Sequence, residues 1–157
     1  MFAVILFGIA LAGAGLTITL KKLKGTELLN MLVGWLLVVC IGLGGVWAFI
    51  GHAFFTAQVA ESIGWAKSPF QFEIAVSNLS IGVLGLLCIV FKDRFRLATA
   101  VAASVYLLGC AAVHIQQAIA YDNLSVNNIG PLVWIGDIFI PVFILVLVII
   151  ADKKTAG

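Results

Sequence analysis

Five apolar runs dominate the sequence, and each is long enough to cross a lipid bilayer as a helix, which takes about 20 residues. They cover residues 2–20, 28–58, 69–91, 97–120 and 131–151. Backbone groups in lipid must find their hydrogen-bond partners internally, and no strand-like alternation is seen, so we expect helices. Of the 157 residues, 63% are apolar and 10% charged, whereas soluble domains carry roughly 25% charged residues. The sequence therefore predicts an all-α fold: residues 1–157 form a single multi-pass domain of the cell membrane, in contact with the lipid bilayer.

The basic residues predict the orientation of this bundle. Eight of the nine Lys and Arg residues lie in the segments 21–27, 92–96 and 153–154, and only Lys67 lies on the other side. Because cytoplasmic loops carry the excess of positive charge, we expect the N-terminus outside and the C-terminus inside. The first run is followed by lysines, whereas a secretory signal is preceded by them, so we expect it to be retained. The alternative is four spans, with the first run cleaved or lying flat.

The residues just before the third run predict the start of a helix. Ser68 is followed by Pro69 and then Gln71. A serine at the N-cap, a proline at the first helical position and a glutamine three residues after the serine form a capping box. The third helix is therefore expected to begin beside Pro69.

Polar side chains recur at similar depths in four of the apolar runs. At about 1.5 Å per residue, Asp137 and Asn78 lie about 22 and 21 Å from the expected cytoplasmic ends of their helices. His114 and Glu73 lie about 27 and 28 Å from that end, and His52 is nearer 37 Å, a distance that helix tilt or a bend at Gly44-Gly45 would lower. Since the hydrocarbon core is about 30 Å thick, these groups share its outer third.

Helical periodicity indicates which of these groups face the bundle interior. His52, Asn78 and His114 share their helix faces with small residues, which are typical of close helix packing. Gln117 lies on the same face as His114, whereas Glu73 lies on the other face of its helix from Asn78. The predicted ligand-binding residues are His52, Glu73, Asn78, His114, Gln117 and Asp137.

Asp137 has a further feature, because Pro141 follows it by four residues. A helical proline removes the hydrogen bond to the carbonyl four residues earlier, so a carboxylate and a freed carbonyl are expected together. An ionised carboxylate at this depth costs about 2.5–3.5 kcal/mol, so Asp137 must have a partner or be protonated. Together with His52 and His114 it forms the candidate metal-ligand set, although no H-x-x-H spacing supports a metal.

These residues leave three functions open. The first is an outward-opening pocket that binds a small polar or cationic ligand, or a metal ion, for transport or sensing. The second is a redox subunit that carries haem, another metal or a quinone. The third is a structural accessory subunit, which is compatible with a homo-oligomer or a partner in a membrane complex. No cofactor is identified, and enzymatic activity stays undecided.

Other classes of function are disfavoured. The sequence has no phosphate-binding loop or nucleophile elbow, and its three cysteines lie singly in apolar runs. The basic residues form short clusters beside the spans, which is typical of membrane topology and lipid contact. We therefore expect no nucleic-acid binding.

One stretch is distinctive: Ile63-Gly64-Trp65 followed by Ser68-Pro69-Phe70-Gln71 and Glu73. With the later segments "VHIQQ" and "NIGPLVWIGDIFIP", it resembles a family of small bacterial and archaeal integral membrane proteins with no established function. The resemblance covers about residues 45–141. It implies a bundle of several membrane-spanning helices and supplies no reaction.

Overall fold

The computed structural model describes residues 2–155, which form six helices and no β-strand. The helices are α1 (Phe2–Lys21), α2 (Gly25–Phe54), α3 (Thr56–Ile63), α4 (Phe70–Leu87), α5 (Arg94–Tyr121) and α6 (Val126–Lys154). Two of them contain π-helical segments, Leu37–Leu43 in α2 and Leu132–Phe139 in α6. The expected all-α architecture is confirmed for the part of the chain described.

Five of these helices, all except α3, are long and apolar enough to cross a membrane. Many of their large apolar side chains lie on the outside of the bundle, among them Leu20, Val105 and Ile119, which are 73%, 71% and 81% exposed. Because an apolar exterior is costly in water and favourable in lipid, the surface agrees with a membrane protein.

The second predicted run is the one whose bounds differ most from the structure. It was expected to continue to residue 58, but α2 ends at Phe54 because Phe55 leaves the helical conformation, with φ −121° and ψ 38°. The chain then forms α3, which is followed by Gly64 in the left-handed conformation, with φ +71°. A side chain at this position would be strained, and its Cβ would lie 2.7 Å from Ser125 Oγ. This turn delivers Trp65 to the helix bundle.

The predicted capping signal is present at the start of α4. The Ser68 N–H donates to Gln71 Oε1 at 3.4 Å, and the Phe70 N–H donates to Ser68 Oγ at 3.3 Å. Gln71 also donates from Nε2 to the Thr56 carbonyl at 3.1 Å. The cap therefore holds α4 against the junction of α2 and α3 as well as starting the helix.

Four glycines, Gly42 and Gly45 of α2 and Gly82 and Gly85 of α4, bring the backbones of the two helices into contact, and we call them the glycine seam. The buried residues of α4 lie on the face of Asn78, which the sequence predicted to carry small residues and to face the bundle: Gln71, Ala75, Asn78, Gly82 and Gly85. A Cβ added at Gly85 would lie 2.5 Å from the backbone nitrogen of Gly42, and one at Gly45 would lie 2.7 Å from the Asn78 carbonyl oxygen. Glycine permits this approach, as small residues commonly do between membrane helices.

The first helix is an integral part of the packing. Leu6, Ala10 and Ala14 of α1 are buried, and Leu6 and Ala10 belong to a core that includes Leu36 from α2 and Ile144 from α6. These buried residues pack α1 against its neighbours in the described part of the chain.

Candidate functional site

A cavity of about 370 Å³ lies between α2, α4, α5 and α6, and α3 and Trp65 form part of its wall. Four of the six predicted ligand-binding residues line it: His52, Asn78, His114 and Asp137. They come from four different helices. The structure therefore brings together side chains that are separated by up to 85 positions in the sequence.

The other two predicted residues lie outside this cavity. Glu73 is exposed on the outer face of α4, and its backbone carbonyl accepts a hydrogen bond from Ser77 Oγ at 2.9 Å. Gln117 is half-buried near the end of α5, where its carbonyl accepts the Asn123 N–H at 3.2 Å. Neither side chain is among those that line the cavity.

A fully buried asparagine, Asn128, joins His114 to Trp65. Its Oδ1 accepts from Trp65 Nε1 at 3.0 Å and lies 2.9 Å from His114 Nδ1. Its Nδ2 donates to the carbonyls of His114 at 3.2 Å and Asn123 at 2.8 Å. The indole and imidazole rings lie 5.0 Å apart, centroid to centroid, at an angle of 34°. All four hydrogen-bonding positions of the amide are thus occupied inside the protein.

This network determines which nitrogen of His114 carries a proton. The indole N–H of Trp65 can only donate, so the Asn128 atom facing it must be the carbonyl oxygen. That same oxygen faces His114 Nδ1, which must therefore be the donor. In the neutral imidazole Nε2 then holds a lone pair, and it forms no hydrogen bond with any residue from 2 to 155. His114 therefore offers the cavity an acceptor whose orientation is held by the protein.

Two further side chains around the cavity, Asn78 and Tyr106, offer acceptor oxygens. Asn78 donates from Nδ2 to the Ile74 carbonyl at 2.9 Å, which leaves its Oδ1 unused by described residues. The Tyr106 hydroxyl donates to the same carbonyl at 3.4 Å, so its oxygen retains lone pairs. His52 Nδ1 is buried and has no hydrogen-bond partner among residues 2–155.

Asp137 lies where the first cavity meets a second one of about 180 Å³. This smaller cavity extends towards α1 and the middle of α2, and Asn78 and Tyr106 also line both spaces. The Asp137 carboxylate makes no hydrogen bond or ion pair with another described residue. It is therefore the acidic group most available to a molecule in either cavity.

The backbone around Asp137 is irregular, as the proline suggested. The π-helical segment Leu132–Phe139 covers Asp137 and ends just before Pro141. A proline cannot donate to the preceding turn and crowds it, and a wider turn relieves that crowding. Ser104 Oγ of α5 donates to the Pro141 carbonyl at 3.1 Å, which fixes the segment to its neighbour.

A metal centre receives no support from this arrangement. Residues 2–155 contain no group of three or more His, Cys, Asp and Glu side chains placed to hold one ion. The candidate set of His52, His114 and Asp137 shares a cavity without forming such a group. The site's chemistry is better described as a set of hydrogen-bond acceptors in an apolar and aromatic surround.

Sequence reasoning missed the residues that organise the site. Asn128 stands in the motif Asn127-Asn128-Ile129-Gly130-Pro131, which reads as a turn before the last helix. Tyr106 reads as one more residue of an apolar run. Trp65 is distinctive in the sequence, but its partner is 63 residues away. No local pattern reports such a pairing.

The fold and the cavity define an all-helical protein with five described helices of membrane-spanning length around a partly polar interior. The chain belongs to a family of unknown function, DUF6790, whose profile matches residues 1–157. The match covers the whole chain, beyond the central region of resemblance noted in the sequence. No curated protein and no solved structure shows detectable similarity to the chain.

Proposed function

We propose that this membrane protein binds a small organic cation in the cavity between α2, α4, α5 and α6, for transport or sensing. The observation that carries the proposal is the set of three unused acceptors that line this cavity: His114 Nε2, Asn78 Oδ1 and the Asp137 carboxylate. A ligand that donates hydrogen bonds and carries positive charge satisfies all three, and it also supplies the partner that an ionised Asp137 needs at this depth. An anion would meet a carboxylate and lone pairs, which repel it.

Size and lining narrow the class of ligand. Ligand cavities usually measure about 300–1,000 Å³, so about 370 Å³ suits a small molecule. Most of the remaining lining is apolar, and it includes the aromatic rings of Trp47, Trp65 and Tyr106. Aromatic faces attract cations. The favoured ligand is therefore an amine with an apolar body.

A matched probe series tests this ligand class. Benzylamine, benzyl alcohol and benzoate have similar size and differ in charge, so their affinities for the purified protein in detergent can be compared by calorimetry. We expect benzylamine to bind most tightly and benzoate least. Equal affinities for the three probes would refute the proposal.

A pair of carboxylate variants tests the location. Asp137→Asn removes the cavity's acidic group, and we expect it to weaken benzylamine binding about tenfold, the effect of about 1.4 kcal/mol. Glu73→Gln is the matched control, because Glu73 is exposed and does not line the cavity. If both variants weakened binding equally, the effect would come from net charge, and the assigned site would be wrong.

We also propose that the cavity lies in the outer half of the membrane, with the N-terminus outside and the C-terminus inside. The support is the charge distribution, since Lys21, Lys92 and Lys153 mark the opposite end of the helices. In a cysteine-free background, Leu124→Cys should react with a membrane-impermeant maleimide in intact cells, and Lys153→Cys should react only after lysis. The reverse labelling pattern would show that the orientation is opposite to the one proposed.

A structural role is the second candidate, and the Asn128 network favours it. His114 is already hydrogen-bonded within the protein on one side, so its role could be to hold α5 against the Trp65 segment. Under this alternative, His114→Ala lowers the yield of folded protein, while the folded fraction shows the same benzylamine affinity as the original chain. Under the binding proposal, the folded fraction binds more weakly.

A further inference from the structure

A further cavity lies at the other end of the bundle, away from His114 and Asp137. Its volume is about 610 Å³, and it is formed by the end of α1, the first half of α2, the end of α4 and the start of α5. Along α2 it extends from Glu27 to Val38. Eleven helical residues correspond to about 16 Å. The cavity is therefore elongated along the helix axis.

Its lining changes from charged to apolar along this length. Glu27 and Asn30 lie at the end of α2 nearest the α1–α2 turn, and Trp35 and Val38 lie deeper. The exposed lysines Lys21 and Lys92 belong to the charged end. A molecule that fits this gradient has a charged head and an apolar tail, which is the build of a membrane lipid.

A buried arginine lies at the charged end. Arg96 is 9% exposed. Its Nε and Nη2 donate to the Cys88 carbonyl at 3.3 and 3.0 Å, and its Nη1 donates to the Asn30 carbonyl at 3.0 Å. A guanidinium has five N–H groups, so two remain for another acceptor. Gly34 makes room for this side chain, since a Cβ there would lie 2.9 Å from Nη2.

The charges favour an anionic head. Three basic side chains, Lys21, Lys92 and Arg96, line the cavity against two acidic ones, Glu27 and Asp93. Arg96 forms no salt bridge within residues 2–155, and Asp93 attracts it only at longer range. A buried cation is stabilised by a paired anion. Arginine pairs well with phosphate, through two parallel N–H···O bonds.

We propose that this cavity binds one anionic phospholipid, with the phosphodiester against Arg96 and the two lysines and an acyl chain along Trp35 and Val38. Basic cavities between membrane helices on the cytoplasmic side are suited to such headgroups. This lipid site is separate from the cavity between α2, α4, α5 and α6, and the proposal does not depend on that cavity binding a cation.

The test compares lipids on the full-length protein in neutral detergent. Thermal unfolding is followed while dioleoyl phosphatidylglycerol, dioleoyl phosphatidylcholine or inorganic phosphate is added. We expect phosphatidylglycerol to raise the unfolding temperature saturably and the other two to have little effect. Equal stabilisation by phosphatidylcholine would refute an anionic site. Equal stabilisation by inorganic phosphate would show a free-anion site and refute the lipid assignment.

Matched variants locate the effect. Lys21→Gln with Lys92→Gln removes the two exposed cavity lysines, and we expect the concentration of phosphatidylglycerol needed for half-maximal stabilisation to rise about tenfold or more. Lys153→Gln with Lys154→Gln removes the same charge from exposed positions outside the cavity, and we expect a change of less than about twofold. If the two double variants behaved alike, the lipid effect would reflect overall charge, and the proposed site would be wrong.

Discussion

Asn128→Ala is the substitution that most directly tests the architecture of the site. The amide makes four hydrogen bonds, to Trp65 Nε1, His114 Nδ1 and the carbonyls of His114 and Asn123. The side chain is fully buried, with 0% exposure. Each such bond contributes about 1 kcal/mol net. We therefore expect the free energy of unfolding to fall by about 4 kcal/mol.

The assay is equilibrium unfolding by sodium dodecyl sulfate in mixed micelles, followed by circular dichroism. Asn127→Ala is the matched control: Asn127 is the neighbouring residue, exposed, and makes no hydrogen bond with its side chain among the described residues. Exposed substitutions of this kind usually change stability by less than about 0.5 kcal/mol. Equal small losses for the two variants would refute the proposed network.

The same substitution has a spectroscopic consequence. The chain has two histidines, so nitrogen NMR of protein labelled with [¹⁵N]histidine gives a simple spectrum. In the original chain the proton of neutral His114 resides on Nδ1, because Asn128 Oδ1 accepts it. In Asn128→Ala the proton is free to distribute between both nitrogens. An unchanged tautomer in a folded variant would show that Asn128 does not orient the imidazole.

Three further substitutions give sharp expectations, each measured by the same unfolding titration. Gly85→Ala places a Cβ 2.5 Å from the backbone nitrogen of Gly42 and should lower the free energy of unfolding by about 1–3 kcal/mol. The control, Gly109→Ala, meets open space and should be neutral or stabilising by up to about 1 kcal/mol. A loss of stability in both variants would contradict the glycine seam. Trp65→Phe removes one indole donor and should cost about 1 kcal/mol, and a loss as large as that of the buried asparagine would contradict the shared network. Gly34→Ala crowds the end of the flexible Arg96 side chain and should cost about 1 kcal/mol, one hydrogen bond; a loss as large as that of Gly85→Ala would show that Arg96 cannot move.

Much of the fold was predictable, because lipid strongly restricts the backbone conformations that a membrane-spanning segment can adopt. Helices are the option left to apolar runs of this length, and the structure has five of them among the described residues. The small-residue face of α4 and the capping signal at Ser68 were also predicted correctly, since both depend on residues within one or a few turns of each other.

The helix break at Phe55 was not predicted. The run from residue 28 to 58 is mostly apolar, and neither a proline nor a turn motif marks the place of the break. What holds the turned chain is distant: Gln71 donates to the Thr56 carbonyl, and Asn123 Nδ2 donates to the Ile63 carbonyl at 2.8 Å. Such partners cannot be read from local composition.

The candidate site, like the fold, was predictable from the sequence only in part. The sequence by itself determined that Asp137, His52, Asn78 and His114 sit at costly positions within apolar runs, because hydropathy and helical spacing are local properties. Only the tertiary structure decided that these four line one cavity and that Glu73, which helical spacing had already placed on the other face from Asn78, does not line it. It alone also paired Asn128 with His114 and Trp65. The physical reason is that a hydrogen bond depends on atoms meeting in space, and the relative rotation of packed helices is fixed by the sum of contacts along their whole length.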